Sequence, residues 1–212
     1  MNKKLILPSY VLALCIVAIG SFATIAVACP DYQESGCGGG WSWFGLRHDD
    51  SNVAQGQTVT LDCETVLVSV EFLFMLSGTP NNGVPSMVAG DDISVSVFDI
   101  DYNVLATVTV PAPADVFEEW IEFQFPADLI VPSGQYLIAA HTTAQGWGSM
   151  GFCYGEGSDT FEGGSRNVSM NGMEGPWGAF QEGSDIPFRL YLDEGAVATE
   201  QVVWGSIKGM YR

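Results

Sequence analysis

Positive charge is scarce in this chain. Its 212 residues hold seven lysines and arginines against 25 aspartates and glutamates, a net charge of −18. Nucleic-acid binding relies on cations that displace counterions from phosphate, so that class is excluded. A polybasic approach to anionic lipid is excluded on the same ground. Histidine is scarcer still, with His48 and His141 alone. A serine hydrolase needs a nucleophile, a base and an orienting acid, and the chain has no GxSxG elbow. His141, beside Thr142 and Thr143 at an expected strand end, reads as a histidine hydrogen-bonded at a sheet edge. There is no CxxC pair either, which argues against zinc. Charged residues make up only 15%, whereas hydrophobic ones reach 47%, enough for a sizeable core and too many for wholesale disorder.

The apolar residues begin with an address. Lys3 and Lys4 precede an uncharged, mostly apolar run from Leu5 to Ala28, which ends Ala26-Val27-Ala28. This pattern predicts a signal peptide over 1–28, cleaved before Cys29, and a protein that is secreted or held at the cell surface, with the periplasm as a variant. Pro8-Ser9 interrupt the run and no cationic cluster follows it, so membrane insertion after cleavage is not expected. Cys29 directly after the cut makes a lipoprotein anchored there the alternative. Without the leader the charge falls to about −20, a strongly acidic mature protein. Export also changes the cysteines. Cys29, Cys37, Cys63 and Cys153 remain, an even number in an oxidising compartment, and read as two disulfides whose three possible connectivities the sequence leaves open.

Residues 29–52 form an N-terminal segment containing glycine, tryptophan and cysteine. From about residue 53 the pattern becomes period-two and rich in β-branched residues. Strands are expected at 66–74, 93–98, 104–110, 120–125, 136–140 and 188–192, with Val104, Ala106, Val108 and Val110 on one side of theirs. Twenty-five glycines and ten prolines supply the turns. The expected fold is all-β, a single antiparallel β-sandwich domain of jelly-roll type over 53–194, followed by a tail over 195–212.

Between Thr142 and Ser184 the sequence turns glycine-rich and aromatic. Sugar rings present C–H faces that stack on tryptophan and tyrosine, and carboxylates accept their hydroxyls. Trp147, Tyr154 and Trp177, with Glu156 and Asp159 near them in sequence, are the candidate ligand-binding residues. The competing assignment places these rings in the core, where tryptophan is buried on average. A surface this acidic points to a neutral polysaccharide or cell-surface glycan as partner.

Four stretches carry a resemblance. They are Ile93 to Ala106 with its Asp99-Ile100-Asp101-Tyr102-Asn103 turn, Trp120 to Phe125, Val131 to Ile138, and Pro187 to Tyr191. Together they resemble the choice-of-anchor R type of β-sandwich module found in secreted bacterial proteins, over about residues 57–192. The resemblance implies fold, not chemistry, and carries over no catalytic residue. The ending Trp204-Gly205-Ser206-Ile207-Lys208-Gly209-Met210-Tyr211-Arg212 is similar to tails on other exported bacterial proteins.

No cofactor is expected, with a structural calcium kept open. Asp99-Ile100-Asp101-Tyr102-Asn103 opens like an EF-hand loop, but Val104 and Val110 stand where glycine and glutamate are required. The segment therefore reads as a hairpin turn, and calcium would have to use Asp91, Asp92 or the Glu156–Glu162 loop. The function expected is an exported, non-catalytic binding or surface module that takes neutral carbohydrate through loop aromatics. The alternative is a small secreted glycosidase-like hydrolase with a carboxylate pair in the 144–186 loops; Glu118, Glu119 and Glu122, like Glu156, Asp159 and Glu162, read as solvated acidic surface.

Overall fold

A computed structural model describes residues 32–35, 40–47, 49–76, 83–114, 116–153, 161, 163–179 and 184–193. These form thirteen strands and one short 3-10 turn, Gly172–Glu174, with no α-helix among the described residues. In chain order the strands are β1 (Tyr32–Ser35), β2 (Gly40–Leu46), β3 (Asn52–Leu61), β4 (Thr65–Met75), β5 (Asp92–Phe98), β6 (Val104–Pro111) and β7 (Glu119–Gln124). They continue with β8 (Ile130–Val131), β9 (Gly134–His141), β10 (Trp147–Phe152), β11 (Arg166–Ser169), β12 (Gly178–Ala179) and β13 (Phe188–Asp193).

The strands pair antiparallel along one open path, β1-β13-β4-β10-β2-β3-β9-β5-β6. β7 and β8 add to the other edge of β4, and β11 with β12 to β3. The long β-branched and aromatic run of β4 is the hub. β13 and then β10 follow one of its edges, and β8 and β7 the other. Strand pairing begins ahead of residue 53. β1 lies along β13 from Tyr32↔Tyr191 to Ser35↔Phe188, and β2 pairs with the whole of β10.

Alternation then sorts the side chains by face. One hydrophobic cluster takes Phe44 from β2, Phe72 and Phe74 from β4, Val95 and Val97 from β5, Ile138 from β9, and Phe188 and Leu190 from β13. Strands from both ends of the path thus bury their alternate residues in a common core. Each such side chain, fully buried, contributes about 1.5–3 kcal/mol.

β6 departs from the expected one-sided pattern. Val108 and Val110 pack on the core, but Val104 is exposed. The register shifts between Val97 and Phe98, so Val104 falls opposite Phe98. Phe98 belongs to a second, small cluster with Leu137 and Ala139 on the outward side. One unpaired residue is enough to move a side chain to the opposite face. The β5–β6 turn itself is closed by Asp99. Its Oδ1 accepts the Asp101 and Asn103 amides, each at 2.9 Å, and its Oδ2 accepts Asn103 Nδ2 at 2.8 Å. The Asn103 hydrogen bonds hold its carboxyl below the usual carboxylate range.

Candidate functional site

The register places an unusual set of side chains on the face of β2, β10, β4 and β7 that points away from the core. Residues directly opposite on paired strands share a face. Trp41 is opposite Gly151, Trp43 opposite Ser149, and Gly45 opposite Trp147. Ser149 is in turn opposite Met75 of β4, and Leu73, two residues back, is opposite Trp120 of β7. The other parity of the same strands carries Phe44, Met150, Phe72, Phe74 and Ile121, all in the core. Trp41, Trp43, Trp147, Leu73, Met75 and Trp120 are each half-buried.

Two glycines make room for this arrangement. A Cβ on Gly151 would approach Pro187 Cγ to 3.1 Å and Leu73 Cδ2 to 3.3 Å. The missing side chain admits Pro187, itself buried, against the backbone there. Gly45 has φ +81°, and a Cβ there would lie 2.6 Å from the Gly146 carbonyl oxygen. Only glycine takes that conformation readily at so close an approach. It brings the loop before β10 against β2, and with it the ring of Trp147. The Trp43 and Trp147 centroids are 5.2 Å apart at 34°. Trp43 Nε1 donates to the Leu46 carbonyl at 2.8 Å, which fixes the orientation of its ring. Beneath the pair, Gln55 Nε2 donates to the Trp43 carbonyl at 2.5 Å. Gln55 Oε1 accepts from Arg166 Nε at 3.1 Å and from Arg166 Nη2 at 2.8 Å. Arg166 is buried, and burial lowers its pKa to about 10.

The same face continues onto β13 and β1 with polar character. Arg189 is opposite Glu71 of β4 and Glu34 of β1, and Glu71 is opposite Glu122 of β7. Arg189 Nη1 bonds Glu71 Oε2 at 3.1 Å, and its guanidinium carbon lies 4.1 Å from the Trp120 ring centroid. Glu71 also accepts from the Tyr191 hydroxyl at 3.3 Å. Tyr191 lies 5.1 Å from Tyr32, ring to ring. The Tyr32 hydroxyl donates to Glu34 Oε2 at 2.5 Å. Burial, then that bond, pushes the Tyr32 pKa up to about 12, so the phenol stays neutral. Hydrogen bonding to Glu71 raises the Arg189 pKa and keeps it charged. The face therefore offers aromatic rings beside carboxylate acceptors, with Arg189 committed within the sheet.

Of the residues singled out from sequence, Trp147 belongs to this face. Trp177 lies elsewhere, half-buried with its ring 5.5 Å from Phe98 and against the Leu137 and Ala139 cluster. Trp147 and Trp177 thus have different ring partners on different strands. Tyr154, Glu156 and Asp159 lie outside the described residues, as do His48, Cys29 and Cys37. Cys63 follows β3, and Cys153, buried, follows β10.

His141 is buried in β9 between β3 and β5, not at a sheet edge. Its Nε2 is 2.9 Å from the Ser96 hydroxyl, which also contacts Thr107 Oγ1 at 2.7 Å and Met173 Sδ at 3.5 Å. This enclosed hydroxyl is tied down on several sides. Asp91 Oδ2 accepts the Val88 amide at 2.8 Å, the work of a turn residue. Among the described residues no group of three or more His, Cys, Asp or Glu side chains could hold a metal ion. Nor is any helix among them long and apolar enough to cross a membrane.

Trp41, Trp43, Trp120 and Tyr191 were not among the sequence candidates. The signal was present in Trp41-Ser42-Trp43: on a strand, rings two residues apart share a face. What was not legible was that this segment is a strand at all. Its neighbour β10 is about a hundred residues away in sequence, and only that pairing reveals it. No protein-family model matches the chain, and no curated protein matches it.

Proposed function

We propose that this is an exported, non-catalytic extracellular or cell-surface domain that binds neutral carbohydrate. We also propose that its open antiparallel sheet is a β-sandwich of jelly-roll type, stapled by disulfides and similar to the choice-of-anchor R module. The burial of both ends of the strand path in one core supports that architecture. Export rests on the cationic start, the apolar run and the Ala26-Val27-Ala28 site.

The observation that carries the binding function is the Trp43–Trp147 pair. Two large rings are held half-buried on a sheet face, 5.2 Å apart. Both lie on strands, and one is fixed by a hydrogen bond from its own ring nitrogen. Rigid, half-exposed rings give contact area at little entropic cost, and a net charge of −18 favours an uncharged ligand over a sulfated or uronic one.

Residues 29–212 and the Trp147→Ala variant, applied to insoluble cellulose and to mannan, test this. Retention of the unmodified protein, lost in the variant at unchanged melting temperature, is the expected result. A protein that passes through both columns overturns the carbohydrate reading.

A further inference from the structure

We infer that this protein forms a dimer through strand β6, which pairs antiparallel with β6 of a second copy about a two-fold axis at Val108. The inference is independent of the carbohydrate reading. β6 ends the strand path, with β5 on one edge and no strand on the other among the described residues. The hydrogen bonds just beyond it show which way its backbone points. The Ala112 amide donates to the Asp91 carbonyl at 2.7 Å, and the Ala112 carbonyl accepts from the Gly90 amide at 2.9 Å, both toward the β5 side. Direction alternates along an antiparallel strand, so Val110, Val108 and Ala106 also turn their backbone groups to β5. Thr107 and Thr109 turn theirs outward. Pro111, which has no N–H, falls at an outward position, where an edge strand accepts proline. The register shift between Val97 and Phe98 lies outside this stretch and leaves residues 106–111 regular.

An open row of N–H and C=O groups recruits another strand, so edge strands are normally blunted by charge or by shortness. Three other outer strands follow that rule. β1 carries Glu34, β7 carries Glu119 and Glu122, and β12 is two residues long. β6 carries no charge from Val104 to Pro111, in a chain of net charge −18. Charge also selects the occupant. Two copies of so acidic a protein repel one another wherever their carboxylates meet, and β6 against β6 brings none into register. A basic partner finds no carboxylate on this strand to hold it. The side chains suit self-pairing as well. With the axis at Val108, Val108 lies beside its own counterpart and Ala106 beside Val110 of the second copy. On the outer face Thr107 lies beside Thr109 of the second copy. Paired β-branched and threonine side chains across strands are favourable. Val108 and Val110 are half-buried at the rim of the core, so the pairing takes more of both out of water. Thr107 and Thr109 of each copy supply the donors and acceptors of four backbone hydrogen bonds.

Sedimentation velocity of residues 29–212 from about 1 to about 300 µM tests this, with amide hydrogen exchange read at both ends of that range. One strand pair buries little area, so the dimer is weak and forms in the upper part of the range. Monomer at the low end should give way to dimer at the high end, and the Thr107 and Thr109 amides should slow only there. Thr109→Pro removes an N–H that points away from β5. It should leave the melting temperature of the dilute protein unchanged and weaken the dimer about tenfold or more, because two of the four bonds go. Thr109→Val keeps that N–H and loses only the side-chain bond to Ser94, and it should associate as the unmodified protein does. A monomer throughout the range overturns the inference. So does a dimer that Thr109→Pro leaves intact, with both amides still exchanging fast, since its contact then lies elsewhere. If Thr109→Pro does not fold, the exchange of the two amides in the unmodified protein decides alone.

Discussion

His141 Nε2 faces the Ser96 hydroxyl at 2.9 Å, across the β9–β5 pairing, and both side chains are buried. A histidine so placed stays neutral, and burial lowers its pKa to about 4. The arrangement is a structural hydrogen bond with a consequence for stability. In the unfolded chain the same imidazole takes a proton near pH 6.5. Above that pH neither state is protonated at this site and its contribution to stability is full. As pH falls from about 6.5 to about 4, the unfolded state binds a proton that the folded state refuses, so stability drops. The loss from this residue alone should approach about 3 kcal/mol at pH 4. Denaturant melts between pH 7 and 4 should show it, and His141→Gln, which keeps a hydrogen-bonding side chain without titrating, should flatten the profile over that window. A His141→Gln profile parallel to that of the unmodified protein would contradict the assignment.

Gln55 gives a second prediction. One side chain joins the Arg166 guanidinium to the Trp43 carbonyl, through 2.8 and 3.1 Å bonds on one side and a 2.5 Å bond on the other. Arg166 is almost entirely buried, at 1% exposure. Removing an acceptor from a buried cation costs much more than the net value of the bond, because the charge is left poorly solvated. Gln55→Leu should therefore lose about 3 kcal/mol in urea unfolding. Gln55→Leu combined with Arg166→Met should lose less than the sum of the two single changes, since the double variant buries no stranded charge. Strict additivity would show that the two side chains do not depend on one another.

These two networks mark where sequence reading succeeds and fails. The strands that begin at Asp92 and Glu119 were visible as alternation, and those that begin at Thr65, Gly134 and Phe188 as short runs rich in β-branched, aliphatic or aromatic residues; all five send side chains into the core. Asp99 was legible as a turn residue because its bonds are local, within four positions. Gln55 and Gln57 were not legible. Both occupy core-facing positions of β3, in step with Val59 and Leu61, where the pattern predicts apolar residues. Their partners, Arg166 and Asp185, lie more than a hundred residues away. The ring face had the same obstacle. Alternation tells which residues share a side of one strand, but a surface four strands wide is a property of the pairing.

The third prediction concerns cysteine connectivity, which the sequence leaves open and the register narrows. A disulfide requires Cα atoms within about 7 Å. Cys153 directly follows β10, where Phe152 is opposite Gly40 and Met150 opposite Phe74. Its amide donates to the Asp185 carbonyl at 2.9 Å. Continuing the β10–β4 register puts Cys153 level with Glu71 of β4. Cys63 is two residues before Thr65, and Thr65 to Glu71 is six residues, about 20 Å of strand. Cys63 and Cys153 are therefore too far apart to bond to each other. β1 then decides between the two remaining patterns. Tyr32, three residues after Cys29, is opposite Tyr191, and β13 runs from there to Asp193, whose carbonyl accepts from the Thr65 hydroxyl at 2.8 Å. Gln33 Nε2 also donates to the Thr60 carbonyl at 3.3 Å, beside the end of β3 that leads to Cys63. At its other end Ser35, two residues before Cys37, is opposite Phe188, close to Asp185 and Cys153. The expected pairs are Cys29–Cys63 and Cys37–Cys153. Peptide mapping of the non-reduced protein should recover both. Replacing Cys37 and Cys153 together by alanine should leave the first bond intact, whereas replacing Cys37 and Cys63 together should abolish both native bonds. Recovery of a Cys63–Cys153 peptide would mean that β4 and β10 are not paired as described.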